Sequence, residues 1–473
     1  MKSELTGNYG KDAALLKSML RVDKSYDVVT REIDTGSKKA ILFFIDGFIK
    51  DEVMEKIMEF WMKAKPEEVS ALKTAEDYGR KLASYVEVDV QKDCGEIVTA
   101  VLSGTLALVV EGLSEALMLD ARTYPSRGVE EPDDDRVLRG SRDGFVETLV
   151  FNTALIRRRI RDPRLTMEIM RVGKKSKTDV VICYMEGLAE QKILDSIRKR
   201  IGEITIEALT MSQESLAECL IKKQWYNPFP RVRYTERPDS AAACALEGKI
   251  LILVDNSPAV MILPTAIFDF VQDTNDFYFP PLVGTYLRIV RIAVFFATLF
   301  LTPLWYLMIQ NPEYLPSWLE FVQVKEPNSV PIIVQLLLIE FVIDGLKLAS
   351  LNTPNVLASS FSVVGALILG DFAVKARWFV PEVVLYMAFV TIANFTQPSF
   401  ELGYAFKLFR VLILVCTALW GIWGFAGGVI LMILIAATTK TITGRNYLFP
   451  LFPFNGSAFV SLFIRKPISR KNS

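Results

Sequence analysis

From Ile292 to Ile309 the chain runs eighteen residues without a charge, and three further apolar stretches follow: Val356 to Leu369, Val380 to Phe395 with Glu382 near its start, and the 27 residues from Val411 to Ala437. About twenty apolar residues in a helix match the roughly 30 Å of hydrocarbon in a bilayer, and several such runs in succession do not fit an ordinary soluble core. The last third of the chain is therefore expected to be an all-α polytopic membrane domain, with Arg288 and Arg291 snorkelling at the start of the first span. The charge distribution agrees. The 473 residues carry 54 basic and 54 acidic side chains, yet from Pro281 onward 14 Lys and Arg stand against 8 Asp and Glu, and after Glu401 eight cations follow without one acid. Such a cationic bias belongs on the cytoplasmic side, next to anionic lipid.

The segment Pro331 to Ser350 breaks the pattern, because Glu340, Asp344 and Lys347 interrupt its apolar run. On a helical wheel the three fall within about 60° of one another. A stripe of this kind cannot face lipid cheaply. Counting cations between spans favours four crossings, with this segment re-entrant or interfacial and with Lys375, Arg377, Lys440, Arg445 and the basic tail all cytoplasmic; five crossings are the alternative. The stripe either lines an aqueous space or is closed by a Glu340 to Lys347 ion pair, and the sequence leaves both open. Small residues recur at every fourth position in Ala358, Ser362, Ala366 and Gly370, and again in Gly421, Gly424 and Gly428. Faces of that kind let a second helix approach closely, within one subunit or between two. Asp371 closes the first face, and Asn394 and Gln397, beside Pro398, mark a polar helix break.

Ahead of the membrane domain the chain repeats itself. Ala40 to Phe44, the turn Ile45-Asp46-Gly47 and a helical stretch through Val53, Ile57 and Trp61 return, 140 residues on, as Val180 to Tyr184, Glu186-Gly187 and a helix through Ile193 and Ile197. Thr105 to Val110 with its flanking turns returns 144 residues on as Lys249 to Val254. Two ordered matches at nearly one offset indicate duplication. The expected architecture is an α/β cytoplasmic region of two tandem, duplicated subdomains, 27–145 and 146–282, followed by a membrane domain of four to five spans over 283–440. A mobile tail, 1–26, precedes them, and a basic tail, 441–473, follows.

Chemistry is constrained by what is missing. The chain has no histidine, and its five cysteines are scattered without a CxxC pair. Imidazole bases, Ser-His or Cys-His nucleophiles and ordinary zinc sites are excluded. There is no Walker, GxGxxG or GxSxG motif and no cleavable export signal, so neither an enzyme, a cofactor, a metal nor a nucleic-acid partner is expected. Asp46, Glu111, Glu186 and Asp255 read as turn formers rather than metal ligands. Between the subdomains an acidic run, Glu130 to Asp135, is followed by Arg139 and Arg142 and by a helix ending in Arg157, Arg158 and Arg159. These arginines either bind phosphate or pair with acids upstream and join the two subdomains.

The residues then carry a family resemblance. Asn227-Pro228-Phe229-Pro230-Arg231 through Glu236-Arg237-Pro238-Asp239, with Leu246-Glu247-Gly248 and Ile252 to Asp255, resembles the signature of the GerA family, the A subunits of bacterial spore germinant receptors. Arg139-Gly140, Asp143-Gly144-Phe145, Asn152, Leu155 to Ile160 and Phe44 to Gly47 resemble it as well. Ser141 and the tail from Tyr447 to Asn455 depart from nutrient-receptor A subunits and resemble a sporulation paralogue in that family, which moves the expectation away from direct nutrient binding. The resemblance implies a protein of the spore inner membrane, with its N-terminal region cytoplasmic. It also implies assembly with itself as a pentameric, ion-conducting pore, acting with a small membrane partner and other germination proteins to amplify germination. In that reading Glu340, Asp344, Lys347, Asp371, Asn394 and Gln397 are candidates for the pore or its vestibule. The two small-residue faces are candidate subunit interfaces, and Arg139, Arg142, Arg157, Arg158, Arg159, Glu236 and Arg237 would couple the cytoplasmic region to the gate. The alternatives are a nutrient-sensing A subunit, a secondary transporter with a site between broken helices, and a non-conducting scaffold.

Overall fold

The computed structural model describes residues 3–83, 87–124, 140–221, 225–273, 275–325, 330–351 and 373–465. Arg139, Ala358, Ser362, Ala366, Gly370, Asp371 and the acidic run 130–135 lie outside the described residues. The chain divides into two compact units, one comprising Met1–Lys223 with Val232–Pro264 and the other Gln224–Arg231 with Thr265–Ser473.

The first unit holds two five-stranded sheets that share one strand order. Strands β1 (Val28–Thr35), β2 (Lys38–Ile45), β3 (Val88–Gln91), β4 (Leu106–Val110) and β5 (Ala116–Leu119) lie in the order β1-β2-β4-β5-β3. Strands β6 (Leu165–Val172), β7 (Thr178–Met185), β8 (Arg233–Thr235), β9 (Ile250–Val254) and β10 (Val260–Leu263) lie in the order β6-β7-β9-β10-β8. All neighbours are antiparallel. In the first sheet, helices α1 (Tyr9–Leu20) and α5 (Cys94–Leu102) pack Leu16, Leu20, Ile97 and Val101 with Ile41, Phe43 and Ile45 of β2. Helices α2 (Asp51–Met62), α3 (Pro66–Ser70) and α4 (Ala75–Leu82) bring Ile57, Trp61, Val69 and Tyr78 to Ala40 and Leu42 on the opposite face. Successive strand residues alternate between faces, so a strand covered on both needs the unbroken apolar run that Ala40 to Ile45 provides. In the second sheet, α6 (Leu149–Arg159) and α9 (Pro238–Leu246) pack on Val181, Cys183 and Met185, while α7 (Gln191–Gly202) and α8 (Ser212–Leu220) bury Ile193, Ile197, Leu216 and Leu220.

Polar contacts repeat along with the strands. Asp12 in α1 accepts from the backbone N–H of Thr6 and Gly7 at 3.0 and 2.9 Å, and Asn152 in α6 accepts from Val146 N–H at 2.8 Å. The N–H of Leu5 donates to the carbonyl of Lys92 as that of Phe145 donates to Glu236. The first repeat therefore begins near residue 3. Residues 1–26, expected as a mobile tail, hold α1, the counterpart of α6. Ala13, Leu16 and Leu20 form its buried stripe, and the Asn8 side chain caps its start by accepting from Lys11 N–H at 3.1 Å.

The second unit is helical: α10 (Asn275–Tyr278), α11 (Pro281–Gln310), α12 (Ile332–Leu351), α13 (Ala373–Lys375), α14 (Pro381–Asn394), α15 (Phe400–Thr438) and α16 (Gly456–Phe463). Among the described residues, α11 and α15, of 30 and 39 residues, are long and apolar enough to cross a membrane by length and composition. α15 is not one rod. Gly421 sits at φ +54°, in the left-handed region, and divides it into arms 400–420 and 422–438. A Cβ on Gly428 would lie 3.0 Å from the Ile413 side chain, and one on Gly424 would overlap the Cys416 carbonyl. Residues 413 and 428 would stand about 22 Å apart in a straight helix, so the arms fold back on each other. The apolar run from Val411 to Ala437 is a hairpin rather than one span, and Gly424 and Gly428 make its close approach within one chain.

The two ends of α11 order the rest of this unit. Near its N-terminus Arg288 donates to the Ser461 carbonyl at 2.9 Å, and the Arg465 N–H donates to Thr285 Oγ1 at 3.2 Å. Near its C-terminus Trp305 and Tyr306 cluster with Ala373, Phe379 and Val380, whose N–H donates to Gln335 Oε1 at 2.8 Å. Thirty helical residues extend about 45 Å. α13 and α16 thus lie at opposite ends of α11. Arg288 and Arg291, read as snorkelling, are engaged by carboxylates. Arg288 Nε donates to Asp276 Oδ2 at 3.0 Å, and Arg291 reaches Asp276 at 3.0 Å and Asp273 at 3.2 Å.

Candidate functional site

The polar stripe of α12 meets two cations of α15. Glu340 and Asp344 are four apart on one helix, and Lys407 and Arg410 three apart on the other, so each pair shares a face. Arg410 Nε and Nη2 donate to Glu340 Oε1 at 2.8 and 2.5 Å, and Nη1 donates to the Thr298 carbonyl of α11 at 2.7 Å. Lys407 Nζ stands 3.2 Å from Glu340 Oε2 and also pairs with Asp344. Glu340, Lys407 and Arg410 are buried, whereas the Asp344 side chain keeps 39% of its exposure. One ion network therefore ties α11, α12 and α15 together, with Asp344 at its open end.

Of the two readings the sequence left open, Glu340 follows the ion-pair one, with other partners. Arg410 and Lys407 neutralise it, while the Lys347 ammonium lies over the rings of Phe395 and Tyr404 at 5.2 and 5.4 Å. Asn394 sits against Gly403, where a Cβ would come within 2.7 Å of its Oδ1. Gln397 is buried, and its amide has no hydrogen-bond partner among the described residues. Neither joins the Glu340 network by a hydrogen bond among those residues. Lys407 and Arg410 were missed as site residues because, at the head of a long apolar run, they read as flanking charges. Their spacing of three opposite a carboxylate pair spaced four was the available signal.

In the first unit the arginine cluster is absorbed by structure. Arg157 is fully buried; its Nε and Nη2 donate to Asp27 at 2.7 and 3.1 Å, and Nη2 also donates to Ser25 Oγ at 3.1 Å and to the Leu165 carbonyl at 2.9 Å. Arg159 pairs with Asp143 at 2.6 Å, Arg158 lies 4.2 Å over the Tyr124 ring, and Arg237 is held by Asp239 at 2.7 Å and the Ser141 carbonyl at 3.0 Å. Arg142 is exposed, and the Glu236 carbonyl accepts from Phe145 N–H at 2.8 Å. The arginines thus join the two repeats, but through Asp27, which the sequence did not single out. The turn acids are likewise engaged. Arg21 holds the Glu186 carboxyl below its usual range, and Asp255 Oδ1 accepts from Leu149 N–H at 3.3 Å. Burial, followed by the charges of Asp27 and Asp51, raises the Asp46 carboxyl. Among the described residues no group of three His, Cys, Asp or Glu could hold a metal ion.

The segment bearing the strongest family signature, Asn227 to Arg231, belongs to the helical unit. Asn227 Nδ2 donates to Thr439 Oγ1 at 2.7 Å, Phe229 stacks on Phe409 at 5.0 Å, and the Tyr447 hydroxyl donates to the Pro230 carbonyl at 2.7 Å. The family described as Bacillus/Clostridium GerA spore germination protein matches residues 15–473. The chain belongs to the GerA family. It is similar to stage V sporulation protein AF of Bacillus subtilis, at 37% identity over 97% of this chain and 92% of the relative. Spore germination protein KA of B. subtilis is 29% identical over 94% of this chain and 82% of its own length. The crystal structure of the N-terminal domain of the A subunit of the Bacillus megaterium spore germinant receptor GerK3 is 26% identical, covering 56% of this chain and 97% of that one, with a TM-score of 0.43. The GerA family is one of germination proteins and points to no catalytic activity. With two helices of membrane-crossing length, this GerA member reads as membrane-associated.

Proposed function

We propose that the chain is a subunit of a homo-oligomeric ion channel of the spore inner membrane that releases monovalent cations and amplifies germination, together with a small membrane partner. The observation that supports it best is the ion network of Glu340, Asp344, Lys407 and Arg410 inside helices that are otherwise apolar. Ionised groups at such depth are costly, and where they persist they tend to mark an ion path or its gate. In this reading α11, α12, α14 and the two hairpin arms lie within the bilayer. Asp344, the half-exposed end of the network, meets the permeating ions. Glu340, neutralised by two cations, holds the helices in register.

The test is potassium efflux from liposomes containing the purified chain, with and without co-purified membrane partners. Efflux should depend on the protein and fall several-fold in Asp344→Ala. No efflux under any condition, from protein shown to be folded and oligomeric, would sink the conduction reading. A second reading, the A subunit of a germinant receptor, draws on the likeness to the germination proteins KA and A1 of B. subtilis. Efflux only on addition of a nutrient and two further subunits would favour it.

A further inference from the structure

The two repeats of the first unit meet through a contact that has two unused halves. Gly47, in the turn after β2, lies against α6: a Cβ there would stand 3.0 Å from Val150 Cγ1 and 3.3 Å from Ala154 Cβ. Phe48 beside it is fully buried, and Ala154 of the second repeat lies in the same apolar cluster as Phe48 of the first. The Tyr26 hydroxyl bonds Thr153 Oγ1 at 2.9 Å, and the Tyr26 N–H donates to the Met167 carbonyl at 3.0 Å, on the free edge of β6. In each case the end of one repeat receives the first helix and first strand of the next.

The same elements recur 140 residues away with Arg21 and Lys24 of the same chain on Glu186 but with no helix over the glycine that follows. Gly187 is the counterpart of Gly47, and a Cβ on it would meet no atom within 4 Å; Leu188, the counterpart of the buried Phe48, is 49% exposed. On α1 the counterparts of Val150 and Ala154 are Gly10 and Ala14, and both are exposed. We infer that a second copy of this chain occupies this surface, its α1 seated on the Glu186-Gly187-Leu188 turn as α6 seats on Asp46-Gly47-Phe48 within one chain. The buried Asp27–Arg157 pair is not reproduced, because Arg164 and Lys17 stand at the corresponding places, so the contact between copies is weaker than that between repeats. A head-to-tail contact of this type uses different surfaces on the two partners and closes into a ring when the rotation allows. The inference deepens the homo-oligomer proposed above and rests on it.

Two single variants of the full-length chain, Ala14→Cys and Leu188→Cys, each with Cys219→Ser, test it when co-expressed in membranes and treated with a short bismaleimide. Cross-linked dimer should form in the mixture on the order of ten-fold above either variant alone, as proximity raises the effective concentration. A chain carrying both cysteines should give a ladder ending at the closed oligomer. Leu188→Glu should weaken the oligomer in native mass spectrometry while leaving circular dichroism unchanged. An oligomer without the cross-link would overturn the inference and leave the homo-oligomer intact; a monomer throughout would overturn both.

Discussion

Each unit of this protein buries an arginine against a carboxylate, and the two arrangements differ in how completely they are closed. Arg157 meets both oxygens of Asp27, a hydroxyl and a backbone carbonyl, and Asp27 also accepts from Ser25 Oγ at 2.6 Å. Neither group has spare capacity, and the cluster acts as a fixed staple between repeats. Arg410 meets one oxygen of Glu340, whose other oxygen is shared with Lys407, and Lys407 is shared again with Asp344. The second cluster is a chain of exchangeable partners running out to a half-exposed end. A saturated pair favours one conformation, whereas redundant cations facing linked acids can be re-paired at low cost, as a gating element requires.

The comparison breaks most readily at Arg157. Removing one partner of a closed, buried pair leaves an uncompensated charge, so Arg157→Met should cost about 3–5 kcal/mol. Hydrogen exchange in peptides covering α6 and β1 would read this as a loss of protection. Arg410→Met should cost less, about 1–3 kcal/mol, because Lys407 remains beside Glu340 to neutralise it. Exchange in α12 peptides measures that. Equal losses at the two sites would show that the helical cluster is as closed as the soluble one. Third in size is the hairpin beside the second cluster. Gly424→Leu forces a side chain into the Cys416 backbone and should destabilise by about 1–3 kcal/mol, seen as a lower unfolding temperature in detergent. An unchanged unfolding temperature would mean the arms separate.

These differences explain what was legible in the sequence. The strands β2, β4, β7 and β9 showed because a strand buried on both faces must be an apolar run, and their turns carry Asp-Gly, Glu-Gly or Asp-Asn. Helix α1 did not show, since only four of its twelve residues are buried, one of them the charged Asp12, and Lys11, Lys17 and Ser18 interleave with them. Its counterpart α6 lies between two repeats and is buried on more of its surface, polar residues included, which disguised the match. In the helical unit, length alone suggested one span from Val411 to Ala437, because hydropathy has no term for a reversal at one glycine. The charge stripe on α12 was legible, but its partners lie 60 to 70 residues away, a distance over which side-chain pairing leaves no trace in local pattern.

The smallest expected effect sharpens the comparison at Lys347. Were Glu340 closed by Lys347, about two turns along the same helix, losing Lys347 would cost as much as losing Arg410. The ammonium instead lies over Phe395 and Tyr404, a contact worth about 0.5–1 kcal/mol at a partly exposed site. Lys347→Met should therefore leave α12 exchange almost unchanged, and combining it with Arg410→Met should add its small effect to the larger one, since independent sites add. A loss from Lys347→Met matching that from Arg410→Met, or a strongly non-additive pair, would place Lys347 inside the Glu340 network. The helical cluster would then hold a third cation, and its open end would lie at Lys347 rather than at Asp344.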